Sequence, residues 1–200
     1  MRIGIAGYMG AGKSTCARAF DSFDTAIIDA DAEAKLLMQS DPKLLLSLKN
    51  SFGESIADNG KILFGELGRI AFSSAGTLLT LNEIIHPPLV KHLEGLIRSN
   101  EKPLRILDAA LIPLWHVESW FDLCVWVGLP FEIRLERLMA KRAGMEEGEL
   151  RRRMRLQEEI MPVPRSNRWV KLPDSECGQY IRGRLELKTP DSKEQGQPEC

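Results

Sequence analysis

The chain has 200 residues, of which 44% are hydrophobic and 28% charged, and its net charge is −1. This size predicts a single domain with a full hydrophobic core. Near-neutrality argues against a global attraction to nucleic acid or membranes. No apolar run approaches the roughly 18 residues of a membrane span, and the N-terminus does not resemble a signal peptide. We therefore expect a cytoplasmic protein with no nucleic-acid or membrane partner.

The cysteines are few and widely spaced. They form no CxxC pair and show no metal-ligand spacing with the three histidines; they are Cys16, Cys124, Cys177 and Cys200. Such spacing predicts neither a disulfide framework nor a zinc site. It favours a reducing compartment, in agreement with a cytoplasmic location.

Short apolar runs alternate with helical patterns along the chain. Strands are expected at 2–7, 25–30, 104–110, 123–128 and 168–172, and helices at 13–21, 31–39, 41–50, 63–73, 79–99 and 130–142. The runs are continuously apolar rather than alternating, which is typical of strands covered on both faces. The pattern predicts an α/β fold in three layers around a five-stranded parallel sheet.

The long interval between the second and third strands predicts an insertion. We expect one domain over 1–187, with its core at 1–32 and 103–187 and a helical insertion at 33–102 that can close over a substrate. A short lid is expected at about 140–156. Residues 188–200 are polar, aperiodic and punctuated by proline and glycine, which predicts a disordered tail.

The stretch "GYMGAGKS" fits the pattern G-x-x-x-x-G-K-[ST] and lies between a predicted strand and a predicted helix. Its glycines allow successive N–H groups to turn inward around phosphate oxygens. Lys13 can reach the β- and γ-phosphates of a nucleotide, and the Ser14 hydroxyl can bind Mg²⁺. The stretch therefore predicts a P-loop that binds a nucleoside triphosphate.

Three aspartates follow predicted strands at the carboxyl edge of the sheet, where ligands of such folds bind. Asp29 and Asp31 lie in "IIDADAEAKLL", and Asp108 ends "RILDAA". Carboxylates beside a P-loop can hold Mg²⁺ or accept the proton of an acceptor hydroxyl. Asp31 can equally be a helix N-cap, whereas the position of Asp108 favours a metal ligand.

The helix expected at 130–142 continues into a second cationic segment, "RRRMR". Ile133, Leu135, Leu138 and Met139 are expected to face the core, and Arg134, Arg137 and Lys141 to form a basic stripe. Arg142 then precedes a possible hinge, "AGMEEGEL". A solvated charged face is the alternative, but beside a P-loop the cluster favours a mobile lid that delivers cations to phosphates.

These motifs together resemble the dephospho-CoA kinase family, whose members are P-loop kinases of the nucleoside-monophosphate-kinase type. The matching segments are "GYMGAGKST", "IIDAD", "SFGESIADNGKI", "LNEIIHPPLVKHLE" and "RLERLMAKR" with "RMRLQ", and together they span about 1–160. The resemblance implies transfer of a phosphoryl group from Mg·ATP to the ribose 3′-hydroxyl of dephospho-CoA, which completes coenzyme A.

The resemblance also implies roles for individual residues. Gly10, Ala11, Gly12, Lys13, Ser14 and Thr15 would bind ATP phosphates, and Ser14 and Asp108 would hold Mg²⁺. Asp31 would be the catalytic base, with Asp29 positioning either it or the metal. His86 and Leu111 would line the acceptor site; without the resemblance, His86 would be read as the end of a helix before two prolines. Arg137, Arg142 and Arg153 would be lid cations.

The chain departs from the family pattern at four positions and has one extra residue between Arg137 and the lid. Phe64 replaces an arginine, Ala110 and Leu114 replace a proline and a glutamate, and an asparagine is missing near Leu172. These positions belong to the acceptor and adenine sites rather than to the phosphate-binding residues. Two alternatives therefore stay open, namely a kinase for a nucleoside monophosphate or a sugar acid, and a nucleotide-binding regulator without catalysis.

Overall fold

The computed structural model describes residues 1–22, 24–99, 101–141 and 145–186. In chain order, its strands and helices are β1 (Arg2–Ala6), α1 (Lys13–Arg18), β2 (Thr25–Asp29), α2 (Ala30–Ser40), α3 (Pro42–Phe52), β3 (Ala57–Asp58), β4 (Lys61–Ile62), α4 (Phe64–Ala71), α5 (Ala75–Arg98), β5 (Leu104–Asp108), α6 (Ile112–Trp115), β6 (Leu123–Val127), α7 (Phe131–Lys141), α8 (Glu147–Ile160), β7 (Trp169–Leu172) and α9 (Asp174–Glu186). The predicted tail lies outside the described residues.

The main sheet contains five parallel strands in the order β2-β5-β1-β6-β7. Its central strand β1 pairs with β5 on one side and β6 on the other, so the segment after β1 emerges in the middle of the carboxyl edge. The predicted five-stranded parallel sheet is confirmed. The antiparallel hairpin of β3 and β4, the short helix α6 and helix α9 are additional features that the sequence pattern did not predict.

Helices cover both faces of the main sheet. Side chains of α1 and α9 pack on one face with Ile3, Ile5 and Val125. The other face packs against α2 to α5 through a larger cluster that includes Leu48, Leu93 and Leu107. These apolar layers fix the sheet edge relative to the helices of 33–102, because buried side chains interlock at close packing.

Two details of the helices differ from the sequence expectation. Helix α5 begins at Ala75, where Ser74 and Thr77 form a reciprocal capping box, and it runs through Pro87 and Pro88 to Arg98. The alternative that His86 ends a helix is therefore wrong. In α7, Ile133 is 42% exposed instead of facing the core, while Arg134 is 1% exposed.

Candidate active site

The segment between β1 and α1 has the backbone conformation that a P-loop needs. Gly7, Gly10 and Gly12 all have positive φ, of 148°, 78° and 97°. A Cβ at Gly7 would lie 2.4 Å from the carbonyl oxygen of Val127, and one at Gly10 would lie 2.8 Å from that of Arg134. Glycine is therefore required both by conformation and by close approach to neighbouring backbone.

Lys13 and Ser14 of the P-loop interact with Asp108, the buried carboxylate at the end of β5. Lys13 Nζ donates to the Tyr8 carbonyl at 3.4 Å. Asp108 is 6% exposed. Burial raises the pKa of Asp108, while the charge of Lys13 and a hydrogen bond with Ser14 lower it. Pairing of β1 with β5 thus places three predicted site residues together, although they are far apart in sequence.

The two aspartates after β2 have different positions. Asp29 is the N-cap of α2, and its Oδ1 accepts from the N–H groups of Asp31 and Ala32 at 3.0 and 3.1 Å. The N-cap alternative considered for Asp31 is therefore wrong, because Asp29 occupies that position. Asp31 lies in the first helical turn and lines a cavity that also reaches Lys13.

This central cavity has a volume of about 530 Å³ and lies between the P-loop and the helices of 33–102. Lys13 and Asp31 line it together with Lys35, His86, Leu111, Arg153 and Gln157, and its other walls are mainly apolar. The volume and the few polar groups in an apolar lining are typical of small-molecule sites. The predicted base, the P-loop lysine and two predicted acceptor-site residues, His86 and Leu111, thus border one space.

Next to the predicted residue His86, the lining of the central cavity contains two polar side chains, Asn82 and Trp115, that no sequence motif indicated. The His86 ring meets Trp115 edge to face, with centroids 5.5 Å apart. Burial lowers the pKa of His86 to about 4, so the ring is neutral at pH 7. Among the described residues, Asn82 Nδ2 and Trp115 Nε1 are buried without a hydrogen-bond partner. Donors of this kind at a cavity wall fit a polar ligand.

The predicted lid cations have different surroundings. Arg137 pairs with Asp174 at 2.6 Å, next to Gly12 of the P-loop. Arg153 pairs with Glu149 at 2.7 Å, and its guanidinium lies 5.1 Å from the Phe72 ring centroid. Arg153, which lies in α8, also lines the central cavity. Arg142 lies outside the described residues, so its predicted role stays a prediction.

Two expectations about this region are wrong. Arg134 does not belong to an exposed basic stripe, since its buried guanidinium forms an ion pair with Glu158. The cysteine spacing argued against disulfides, yet Cys16 of α1 and Cys177 of α9 are joined, with Cα atoms 6.1 Å apart. The sequence held no signal for this pair, because 161 positions separate the two cysteines.

The departures from the family pattern divide into two groups. Phe64 and Ala110 line the central cavity, whereas Leu114 and Leu172 do not. Lys35 Nζ lies 6.0 Å from the Phe64 ring centroid. A cation is therefore present beside the position at which the family pattern has an arginine.

The P-loop, the parallel sheet and a cavity that reaches both Lys13 and Asp31 of the first turn of α2 define the class of P-loop kinases. A sequence profile of the dephospho-CoA kinase family matches residues 1–169, and the chain belongs to that family. The predicted kinase class and the predicted resemblance are confirmed. No helix within the described ranges is long and apolar enough to cross a membrane.

Individual relatives agree with this assignment. The chain is 34% identical to a dephospho-CoA kinase of Carboxydothermus hydrogenoformans over 176 residues, which cover 86% of this chain and 82% of the relative. It is 31% identical to one of Bacillus licheniformis over 163 residues, covering 79% and 80%. The solved structure of TT1252 from Thermus thermophilus superposes with a TM-score of 0.68 at 27% identity, covering 95% of this chain and 98% of that one.

Proposed function

We propose that the protein transfers the γ-phosphoryl group of ATP to the ribose 3′-hydroxyl of dephospho-CoA. The acceptor oxygen forms a bond to the γ-phosphorus as the bond between that phosphorus and the bridging oxygen of ADP breaks. The hydroxyl proton passes to Asp31, and ADP leaves. The observation that carries this proposal is that Lys13 and Asp31 line the same cavity.

ATP binds with its phosphates in the P-loop. The backbone N–H groups of Gly10, Ala11, Gly12, Lys13, Ser14 and Thr15 surround the phosphate oxygens, and the N-terminus of α1 adds its positive dipole end. Lys13 moves from the Tyr8 carbonyl to the β- and γ-phosphates, where it stabilises the charge that develops during transfer. Arg137, Arg142 and Arg153 add positive charge from α7, α8 and the segment between them.

Ser14 and Asp108 fit Mg²⁺. This ion takes oxygen ligands, often one or two carboxylates together with substrate phosphates and water. No group of three or more His, Cys, Asp or Glu side chains in the described part of the chain could hold a metal by itself. One carboxylate and one hydroxyl beside the nucleotide phosphates meet the requirement of Mg²⁺ nevertheless. When bound, the ion neutralises phosphate charge.

Dephospho-CoA occupies the central cavity. Asp31 orients and deprotonates its 3′-hydroxyl, and Asp29 fixes Asp31 by capping the helix that presents it. Neutral His86 and the side chain of Leu111 contact the acceptor further along the wall. In this assignment, residues 1–32 and 103–187 form the core, 33–102 the acceptor-binding insertion and about 140–156 the lid.

The decisive experiment is a coupled assay of ADP release by the purified protein with Mg·ATP. Dephospho-CoA is compared with shikimate, gluconate and nucleoside monophosphates as acceptors. We expect turnover with dephospho-CoA only. Turnover with another acceptor alone would show that the protein is a kinase with a different substrate. ATP binding without any acceptor-dependent ADP release would identify a regulator.

We further propose that the enzyme acts in the cytoplasm, where its co-substrate ATP is made and used. Cell fractionation with immunodetection of the protein tests the compartment. Recovery in the cytosolic fraction is expected, and recovery only in a membrane or extracytoplasmic fraction would contradict a cytoplasmic location.

A further inference from the structure

One peptide segment of the P-loop is held from both sides by side chains of the helices that follow β6. The backbone N–H of Met9 donates to Gln157 Oε1 at 2.7 Å. The carbonyl oxygen of the same residue accepts from Arg134 Nη1 at 3.3 Å. Both polar groups of Met9 are thus bound by α7 and α8 rather than by the loop itself.

The guanidinium of Arg134 makes these contacts from a fully buried position. Its Nε donates to the Leu129 carbonyl at 3.1 Å, and its Nη2 pairs with Glu158. Its central carbon lies 5.0 Å from the Tyr8 ring centroid and 5.4 Å from that of Phe131. A buried cation with this many partners has one orientation only, since leaving any partner unpaired is costly.

Tyr8 gives a third connection between the P-loop and α8. Its hydroxyl donates to the carbonyl oxygen of Met161, just after α8, at 2.8 Å. Burial raises the pKa of the Tyr8 phenol, so the hydroxyl keeps its proton and remains a donor. Both residues of the segment Tyr8–Met9 are therefore bound at α8, Met9 by Gln157 within the helix and Tyr8 by the residue that follows the helix.

We propose that Arg134 is a positioning residue for nucleotide binding, and that it acts through Met9. Together with Gln157 it holds Tyr8–Met9 in the conformation in which the following glycine N–H groups point inward. Gly10 follows directly and approaches the Arg134 carbonyl so closely that a Cβ has no room. Arg134 need not touch ATP. The proposal rests on the ATP site of the proposed function, but not on the identity of the acceptor.

The chain offers a matched control for this arginine. Arg151 of α8 also binds α7, through two hydrogen bonds of 2.8 Å to Glu132, and it donates a third, of 2.7 Å, to Glu147 of its own helix. Its guanidinium lies 5.8 Å from the same Phe131 ring. Arg151 is not one of the three arginines assigned to the nucleotide phosphates. It contacts α7, α8 and Phe131 as Arg134 does, but its contacts with the described residues do not include the P-loop. Comparing the two separates loop positioning from general support of the helix pair.

The experiment measures ADP binding by calorimetry, without acceptor, for the full chain and the variants Arg134→Met, Gln157→Met and Arg151→Met. Loss of one hydrogen bond that orders the loop is expected to weaken binding about tenfold. We expect this loss for Arg134→Met and Gln157→Met, and unchanged binding for Arg151→Met. In steady-state assays the KM for ATP should rise more than the KM for the acceptor. Arg134→Lys, which keeps a donor for Met9, should recover part of the affinity.

Two results would overturn the proposal. One is that ADP binding is unchanged both in Gln157→Met and in every Arg134 variant that folds. The other is an equal loss in Arg151→Met, which would indicate a general effect of the α7–α8 pair. If Arg134→Met does not fold, Gln157→Met and Arg134→Lys still test the proposal. Both are expected to fold, because Gln157 is only half-buried and lysine keeps the charge of Arg134. ADP binding by the unaltered protein with no turnover of dephospho-CoA would refute the proposed substrate and leave this inference intact.

Discussion

The carboxylate of Asp29 accepts a hydrogen bond of 3.0 Å from the backbone N–H of Asp31. One aspartate therefore fixes the start of α2, while the other lines the central cavity from its first turn. The two aspartates are only two positions apart in the sequence, yet the helix boundary between them gives each a separate role. This division leads to different expectations for their substitution.

Replacing Asp29 tests its capping role. Asp29→Ala should lower the free energy of unfolding by about 1 kcal/mol, because two N–H groups at the start of α2 lose their acceptor. Asp29→Asn should retain most of the stability, since asparagine is an equally good N-cap. Urea denaturation measures both. An unchanged free energy of unfolding in Asp29→Ala would contradict the role of Asp29 as the N-cap of α2.

Replacing Asp31 tests the proposed base. Asp31→Asn should lower kcat by a factor of about 10²–10⁴, the usual contribution of a general base, while ATP binding stays intact. Single-turnover assays and nucleotide titration measure the two quantities. Glu33→Gln, in the same helical turn, is the control and should leave turnover near normal, since Glu33 pairs with His92 at 2.8 Å and does not line the cavity. Full activity of Asp31→Asn would remove it from the mechanism.

Replacing Lys13 tests the P-loop. Lys13→Ala should reduce turnover by at least about two orders of magnitude, because a preorganised charge on the transferred phosphoryl group is lost. Lys43→Ala, at an exposed position of α3, removes the same charge elsewhere and should be neutral. Steady-state kinetics at saturating ATP decide. Near-normal turnover in Lys13→Ala would refute the assignment of the loop.

Replacing Asp108 with asparagine is expected to lower activity without lowering stability. Burial disfavours its charged form, so the neutral isostere in Asp108→Asn should not lower the melting temperature. Turnover should nevertheless fall, and the Mg²⁺ concentration for half-maximal rate should rise, because the proposed carboxylate ligand is missing. Calorimetry and a Mg²⁺ titration test these expectations. An unchanged Mg²⁺ requirement would exclude Asp108 as a ligand.

The buried ring of His86 predicts a pH dependence of stability. Its pKa in the folded protein is about 4, below the usual 6.5, so the unfolded chain binds more protons between these values. The contribution of His86 is fully present above pH 6.5 and declines as the pH falls toward 4. His86→Gln should therefore lose less stability than the unaltered protein between pH 7 and pH 5. His116→Asn, at an exposed histidine with φ of 55°, serves as the control in the same thermal melts.

The elements that the sequence predicted well share a local cause. The strand expected at 2–7 lies at Arg2–Ala6, and the helix expected at 41–50 lies at Pro42–Phe52. Continuous apolar runs suit strands that are buried on both faces, and Asp41 with Pro42 is a strong helix start. Helix α6 and the β3–β4 hairpin are too short for such periodicity, which explains why the sequence pattern did not reveal them.

By itself, the sequence determined the P-loop, because its glycines, lysine and serine act within one short segment whose conformation depends mainly on those residues. Only the tertiary structure decided which charged side chain of α7 is buried, which aspartate caps α2, and that Cys16 meets Cys177. Arg134 lies 24 positions before Glu158 and 125 after Met9. Burial of a charge depends on partners that the fold brings together, and no local pattern contains them.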